Sequence, residues 1–180
     1  STSASTGIAN LNTSLSTTNS TVTNIYNTGT KYFHANSIGT DSVASGTDSI
    51  AIGQGAVASG NFGLAAGVNA QVANDRSVAL GINAKGMAAN TVAIGSEAQV
   101  SVANSVAIGA GSVASSLPVN KAYLTNQTAP TGIVSVGANG GSKGGLLRRI
   151  TNVADGADAS DAVTVAQLST STFSLSTGIS

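Results

Sequence analysis

The stretch NSVAIGAGS, residues 104–112, decides the fold. Close copies precede it: DSIAIGQGA (48–56), RSVALGINA (76–84) and NTVAIGSEA (90–98), with a weaker FGLAAGVNA at 62–70. Their phase glycines, together with that of NSIGTDS (36–42), are Gly39, Gly53, Gly67, Gly81, Gly95 and Gly109, a spacing of 14 at every step. A short fixed period is the signature of stacked repeats. Three before the glycine stand Ile50, Val78, Val92 and Val106; one before it stand Ile52, Leu80, Ile94 and Ile108. Ala51, Ala65, Ala79, Ala93 and Ala107 lie between. Period-two alternation rich in β-branched residues predicts a short strand. A second strand follows through Ala56, Ala70, Ala84 and Ala98, beside the polar Gln71, Lys85 and Gln99. Gly, Asn and Ser supply the turns between the two.

Two strands and two turns per 14 residues make one coil of a parallel β-solenoid, and five to six coils stack to roughly 25 Å. A two-strand coil encloses little. On this reading the Val and Ile rows fill its inside. The alanine rows (Ala51, Ala79, Ala93 and Ala107 among them) then meet a partner chain near a common axis.

The flanking segments have a different texture. Ile8, Leu11, Leu15, Thr18, Val22 and Ile25 are spaced 3, 4, 3, 4, 3, a heptad seam in a Ser/Thr/Asn-rich stretch. Isoleucine at both core positions leans towards three strands. A flexible linker is the alternative such a composition allows. Val165, Leu168, Thr172, Leu175 and Ile179 form a second seam near the far end. Three chains thus satisfy the seams and the alanine rows together. Thr18 and Thr172 at core positions either hold water or an ion on the axis or fix register.

Net charge is zero and charged residues make up 8% of the chain, so there is no basic field for nucleic acid. Aromatic residues make up 3%, too few for a thick globular core. Cysteine is absent, which removes disulfides and thiolate metal sites. No apolar run is long enough to cross a membrane as a helix. His34 is the single histidine, so catalysis by a Ser-His-Asp set has no support and no catalytic residue, metal site or cofactor is assigned. Around a threefold axis His34 could bind an ion; the plain reading is a packing residue. Lys143, Arg148 and Arg149 form the one basic cluster, with Asp155, Asp158 and Asp161 close behind. They read either as an anion site or as ion pairs between chains in a neck, and opposite charges so placed favour pairing. GANGGSKGG (137–145) lacks the order of a phosphate loop.

The repeat resembles the head signature of trimeric autotransporter adhesins, the YadA-like family. YFHANS (32–37) resembles the family connector, and RRITNVADGADASDAVTVAQL (148–168) its neck. The resemblance implies stalk 1–30, connector 31–38, head 39–115, head insert 116–147, neck 148–164 and stalk 165–180. Within the insert TGIVSVG suits a strand. It further implies a homotrimer with a left-handed parallel β-roll head between trimeric coiled coils. Such proteins sit on the outer surface of Gram-negative bacteria, with a membrane-embedded β-barrel anchor expected outside this segment. The implied partners are host cells and matrix proteins of the collagen, fibronectin and laminin class. Gln71, Lys85, Glu97 and Gln99 are the solvent-side candidates for contact. A spacer role, with the binding site elsewhere in a longer adhesin, is the alternative function. Solenoid acyltransferases are excluded by period, since their coils run to about 18 residues in steps of six. Lyases are excluded by the missing acidic groove.

Overall fold

The computed structural model describes residues 2–30, 35–117, 121, 126–139 and 145–177. His34, Lys143 and Ile179, with half of the connector and part of the insert, lie outside them. The chain divides into two compact units, 1–146 and 147–180.

In the first unit α1 (Thr2–Thr28) is a 27-residue helix with no buried residue. A coiled roll follows. Strands β1 (Val43–Ala44), β3 (Val57–Ala58), β5 (Gln71–Val72), β7 (Lys85–Gly86), β9 (Gln99–Val100) and β11 (Val113–Ala114) form one six-stranded parallel sheet. The other sheet holds β2 (Ile50–Ile52), β4 (Leu64–Ala66), β6 (Val78–Leu80), β8 (Val92–Ile94), β10 (Val106–Ile108) and β12 (Val134–Ser135). Register within the repeat array advances by one period per rung, as in Val78↔Val92 and Gln71↔Lys85. The chain therefore winds from sheet to sheet and rises about 4.8 Å per coil.

The phase glycines are demanded by this stacking. Gly81 has φ 134°, and a Cβ there would lie 2.7 Å from the Gly95 backbone. That is far inside contact distance, so the turn column admits no side chain.

The inside of the roll corrects the sequence reading. Ala65, Ala79, Ala93 and Ala107 are fully buried by their own chain, facing Ala56, Ala70, Ala84 and Ala98 of the other sheet's side. Ala51, at the first rung, is half-buried. The largest fully buried side chains are Val72 and Val100. The two sheets stand so close that a methyl group fills the gap. The alanine rows do need a surface to pack on, and it is the opposite strand of the same coil rather than a second chain. The larger rows point out instead: Ile50 is 54% exposed, Leu80 46% and Ile108 46%.

Buried hydroxyls of Ser77, Thr91 and Ser105 stand at the corner before β6, β8 and β10 and help tie the coils. Ser77 Oγ donates to the Ala88 carbonyl at 2.8 Å and accepts the Thr91 amide at 3.1 Å. Two coils on, Ser105 Oγ accepts the Ile133 amide at 3.0 Å. That bond helps seat β12, which pairs Val106↔Val134 and Ala107↔Ser135. The expected strand in TGIVSVG thus forms, and the roll gains a rung beyond residue 115. The jump is two repeat lengths, 28 residues, so the sixth rung keeps the phase of the array. Beyond it, Ala138 bridges antiparallel to Leu146.

In the second unit an irregular segment leads into α2 (Val165–Thr177), a helix of 13 residues. No helix among the described residues is long and apolar enough to cross a membrane.

Candidate functional site

The roll offers two broad faces of opposite character. On the first sheet the outward column runs Val57, Gln71, Lys85, Gln99, Val113, each half-buried between its neighbours. Gln71, Lys85 and Gln99 therefore sit on consecutive rungs about 4.8 Å apart. An exposed column of Ser59, Ala73, Met87, Ser101 and Ser115 runs beside them. Three of the four candidate contact residues come together here.

Glu97 does not join them. It occupies the turn after β8 with φ 58°, and its amide donates to the Ile82 carbonyl at 2.7 Å. Its column is Gly55, Asn69, Asn83, Glu97 and Gly111, all at positive φ. Gly and Asn tolerate that region and Glu does not, so Glu97 departs from the column's chemistry.

The second sheet's outward columns are Ile50, Leu64, Val78, Val92, Val106, Val134 and Ile52, Ala66, Leu80, Ile94, Ile108. Contiguous exposed apolar surface of this size marks an interaction site. Sequence reading missed it because strand alternation shows only that two faces differ. Side-chain volume was the available signal: a 14-residue coil closed by two strands has no room for stacked isoleucines.

On α1 the predicted seam residues Ile8, Leu11, Leu15, Val22 and Ile25 are all exposed, as are Val165, Leu168 and Leu175 on α2. The two core threonines satisfy their hydroxyls within their own helices. Thr18 Oγ1 donates to the Ser14 carbonyl at 3.0 Å, and Thr172 Oγ1 to the Leu168 carbonyl at 2.9 Å. Thr6, Thr13, Thr17 and Thr21 make the same bond one turn back.

The neck is organised by the start of α2. Thr164 and Gln167 form a capping box: Thr164 Oγ1 accepts the Gln167 amide at 3.2 Å, and Gln167 Oε1 accepts the Thr164 amide at 3.2 Å. Gln167 also grips Gly156 on both sides. Its Oε1 accepts the Gly156 amide at 3.0 Å and its Nε2 donates to the Gly156 carbonyl at 2.9 Å. Asp155 accepts the Thr164 hydroxyl at 2.5 Å. Asp161 accepts the Ala157 and Asp158 amides at 2.9 and 3.0 Å. Hydrogen bonds from the Asp158 amide, then the Ala157 amide, hold the Asp161 carboxyl below its usual range. Within one chain, then, Asp155 and Asp161 are held by a hydroxyl and by backbone amides, a role that sequence reading did not assign. Arg148 and Arg149 are exposed on the irregular segment, and Asp158 is exposed too. Among the described residues no three His, Asp or Glu side chains gather as a metal site.

Comparison with known proteins adds two family matches. The YadA head domain repeat matches residues 37–56, 58–84 and 88–112. The coiled stalk of trimeric autotransporter adhesin matches residues 149–180. Among solved structures the chain is similar to the collagen-binding domain of the Yersinia adhesin YadA. Identity is 29% and the TM-score 0.44, over 72% of this chain and 78% of that one. It is also similar to a C-terminal YadA-like domain from Burkholderia pseudomallei. Identity is again 29% and the TM-score 0.31, over 88% of this chain and 57% of that one. No curated protein matches the chain.

Proposed function

From the premise that the chain belongs to the YadA-like trimeric autotransporter adhesins, we propose that it attaches a bacterial surface to host matrix proteins through the polar face of a trimeric roll. Three rolls join through the Ile50–Val134 face, and the Gln71, Lys85 and Gln99 column is left turned to solvent. The carrying observation is the opposition of the two faces. One is apolar throughout, with Ile50, Leu80 and Ile108 about half exposed in a single chain; the other sets Gln71, Lys85 and Gln99 among small residues and Val57, Val113 and Met87. Burying a half-exposed aliphatic side chain contributes about 1 kcal/mol, and each protomer brings a row of them. The exposed seams of α1 and α2 close as coiled coils in the segments before and after the roll in sequence. Three necks then bring Arg148 and Arg149 of one protomer to Asp155 or Asp158 of the next.

Adhesion needs no deep pocket here. Threefold repetition of a shallow contact, and many trimers on one cell, multiply a weak affinity. Neutral overall charge suits ligands recognised by hydrogen bonding rather than by long-range attraction. The test is solid-phase binding of the trimer to collagen, fibronectin and laminin, beside a variant carrying Gln71→Ala, Lys85→Ala and Gln99→Ala. The expected result is retention on at least one ligand and loss in the triple variant. Retention on none of the three, or equal attachment by a head-deleted protein, would leave the segment as a spacer.

A further inference from the structure

A further column runs down the corner of the roll that leads into β2, β4, β6, β8 and β10: Asp48, Phe62, Arg76, Asn90 and Asn104. Every member has positive φ, between 53° and 57°. Asparagine and aspartate tolerate this left-handed region because a short polar side chain bonds locally. Phenylalanine and arginine gain no such local bond, so the backbone is strained at both. Phe62 is also 60% exposed, so its own chain gives the ring little burial. The ring is strained and wet at once, and the fold gains nothing from either.

The backbone beneath this corner is held firmly. The Thr47 amide donates to Asn61 Oδ1 at 2.9 Å, and the Asn61 amide to Asp75 Oδ1 at 2.9 Å. Asn90 Nδ2 donates to Asn104 Oδ1 at 3.0 Å. Phe62 is the one apolar member of an otherwise polar column, unlike the continuous Ile/Val/Leu rows of the second sheet. All five side chains of the column are exposed in the single chain.

We propose that this column is a subsite for a neutral oligosaccharide. The ring of Phe62 presents a flat, electron-rich face to the C–H groups of one sugar ring. Asp48 one rung before accepts from hydroxyls, and Arg76 one rung after donates to them through its fork. Asn90 and Asn104 continue the row with carboxamides, which both donate and accept. Rungs about 4.8 Å apart are close to the length of one sugar unit, so successive rings of an extended chain meet successive side chains. One carboxylate and one guanidinium cancel, so the column does not select a polyanion. Its side chains are all exposed, which suits stacked rings better than a peptide needing buried anchors. The inference rests on the adhesive reading but uses a surface separate from the Gln71–Gln99 column.

Phe62→Asn is the decisive variant, because asparagine suits φ 57° and removes only the ring. Trimer would be titrated with chitotetraose, maltotetraose and lacto-N-tetraose, with heparin as the polyanionic probe and collagen in parallel. Binding of at least one neutral oligosaccharide is expected, weakened about tenfold or more in Phe62→Asn and in Arg76→Asn, with an equal or higher Tm for Phe62→Asn. Four results overturn the proposal: no neutral oligosaccharide is bound, heparin alone is bound, Phe62→Asn binds as well as the parent, or Phe62→Asn loses the trimer. The last would make the ring an inter-protomer contact. A trimer that binds collagen and no sugar would sink this subsite and leave the adhesive reading standing.

Discussion

Ala93 carries a single methyl group, wholly screened by its own coil. There is no larger space to grow into, since the opposite strand supplies another alanine at the same depth. Ala93→Leu is expected to lower stability by about 3 kcal/mol through overpacking, read as an earlier midpoint in denaturant. Leu80 lies one residue from the equivalent alanine and points the other way; a conservative change such as Leu80→Met leaves the single-chain roll intact. The alternation that separates these two residues was plain in the sequence, but which side was inside was not. Hydrophobicity ranks isoleucine as the interior residue, and only the thickness of a two-strand coil reverses that order. Asp161 is a different case. The Asp158 and Ala157 amides hold its carboxyl below the ordinary aspartate value, so the stabilisation is present above that value and drains away as pH falls through the lower folded one. Asp161→Asn is expected to flatten the acid limb of neck unfolding monitored by circular dichroism from pH 5 to pH 2.

The two helices are built differently at the level of the element. α1 has threonine and serine at most of its non-seam positions, residues that favour helix poorly, and several return their hydroxyls to carbonyls one turn earlier. Nothing in its own turns explains 27 residues of helix, so packing of the exposed seam must supply the stability. The 3-4 spacing made that seam legible. α2 is shorter but starts from a built cap, and the bonding of that cap was not assigned from the sequence. Thr164 and Gln167 fit the capping-box pattern, yet the reach of Gln167 back to Gly156 spans 11 residues and has no sequence signature. Gln167→Ala removes the box and the grip on Gly156 together. A loss of about 1–2 kcal/mol is expected in unfolding of the neck and stalk, with Gln167→Glu restoring the cap but not the donor to the Gly156 carbonyl.

Across the whole molecule, what a single chain leaves uncovered is its large side chains, since its small ones are already packed against each other. The assembly follows from that. Leu80→Asp with Ile94→Asp would place charges where apolar rows meet, at several kcal/mol for each protomer. Light scattering is expected to return trimer mass for the parent and single-chain mass for the double variant. The period of 14 foretold the coil count and the parallel winding, because one number governs every rung. It did not foretell the return of the chain at Val134, since the 28-residue step hides a kept phase behind a stretch with no repeat in it. The finish of the stack has its own consequence. A pile of parallel strands ends in bare amide and carbonyl groups, ready to take up another pile. Beyond β12 the Ala138–Leu146 bridge runs antiparallel, and the Leu146 side chain reaches to the neighbourhood of Gly111. An antiparallel pairing at that end makes a poor template for a further parallel strand, so it blunts that terminus against head-to-tail growth into fibrils.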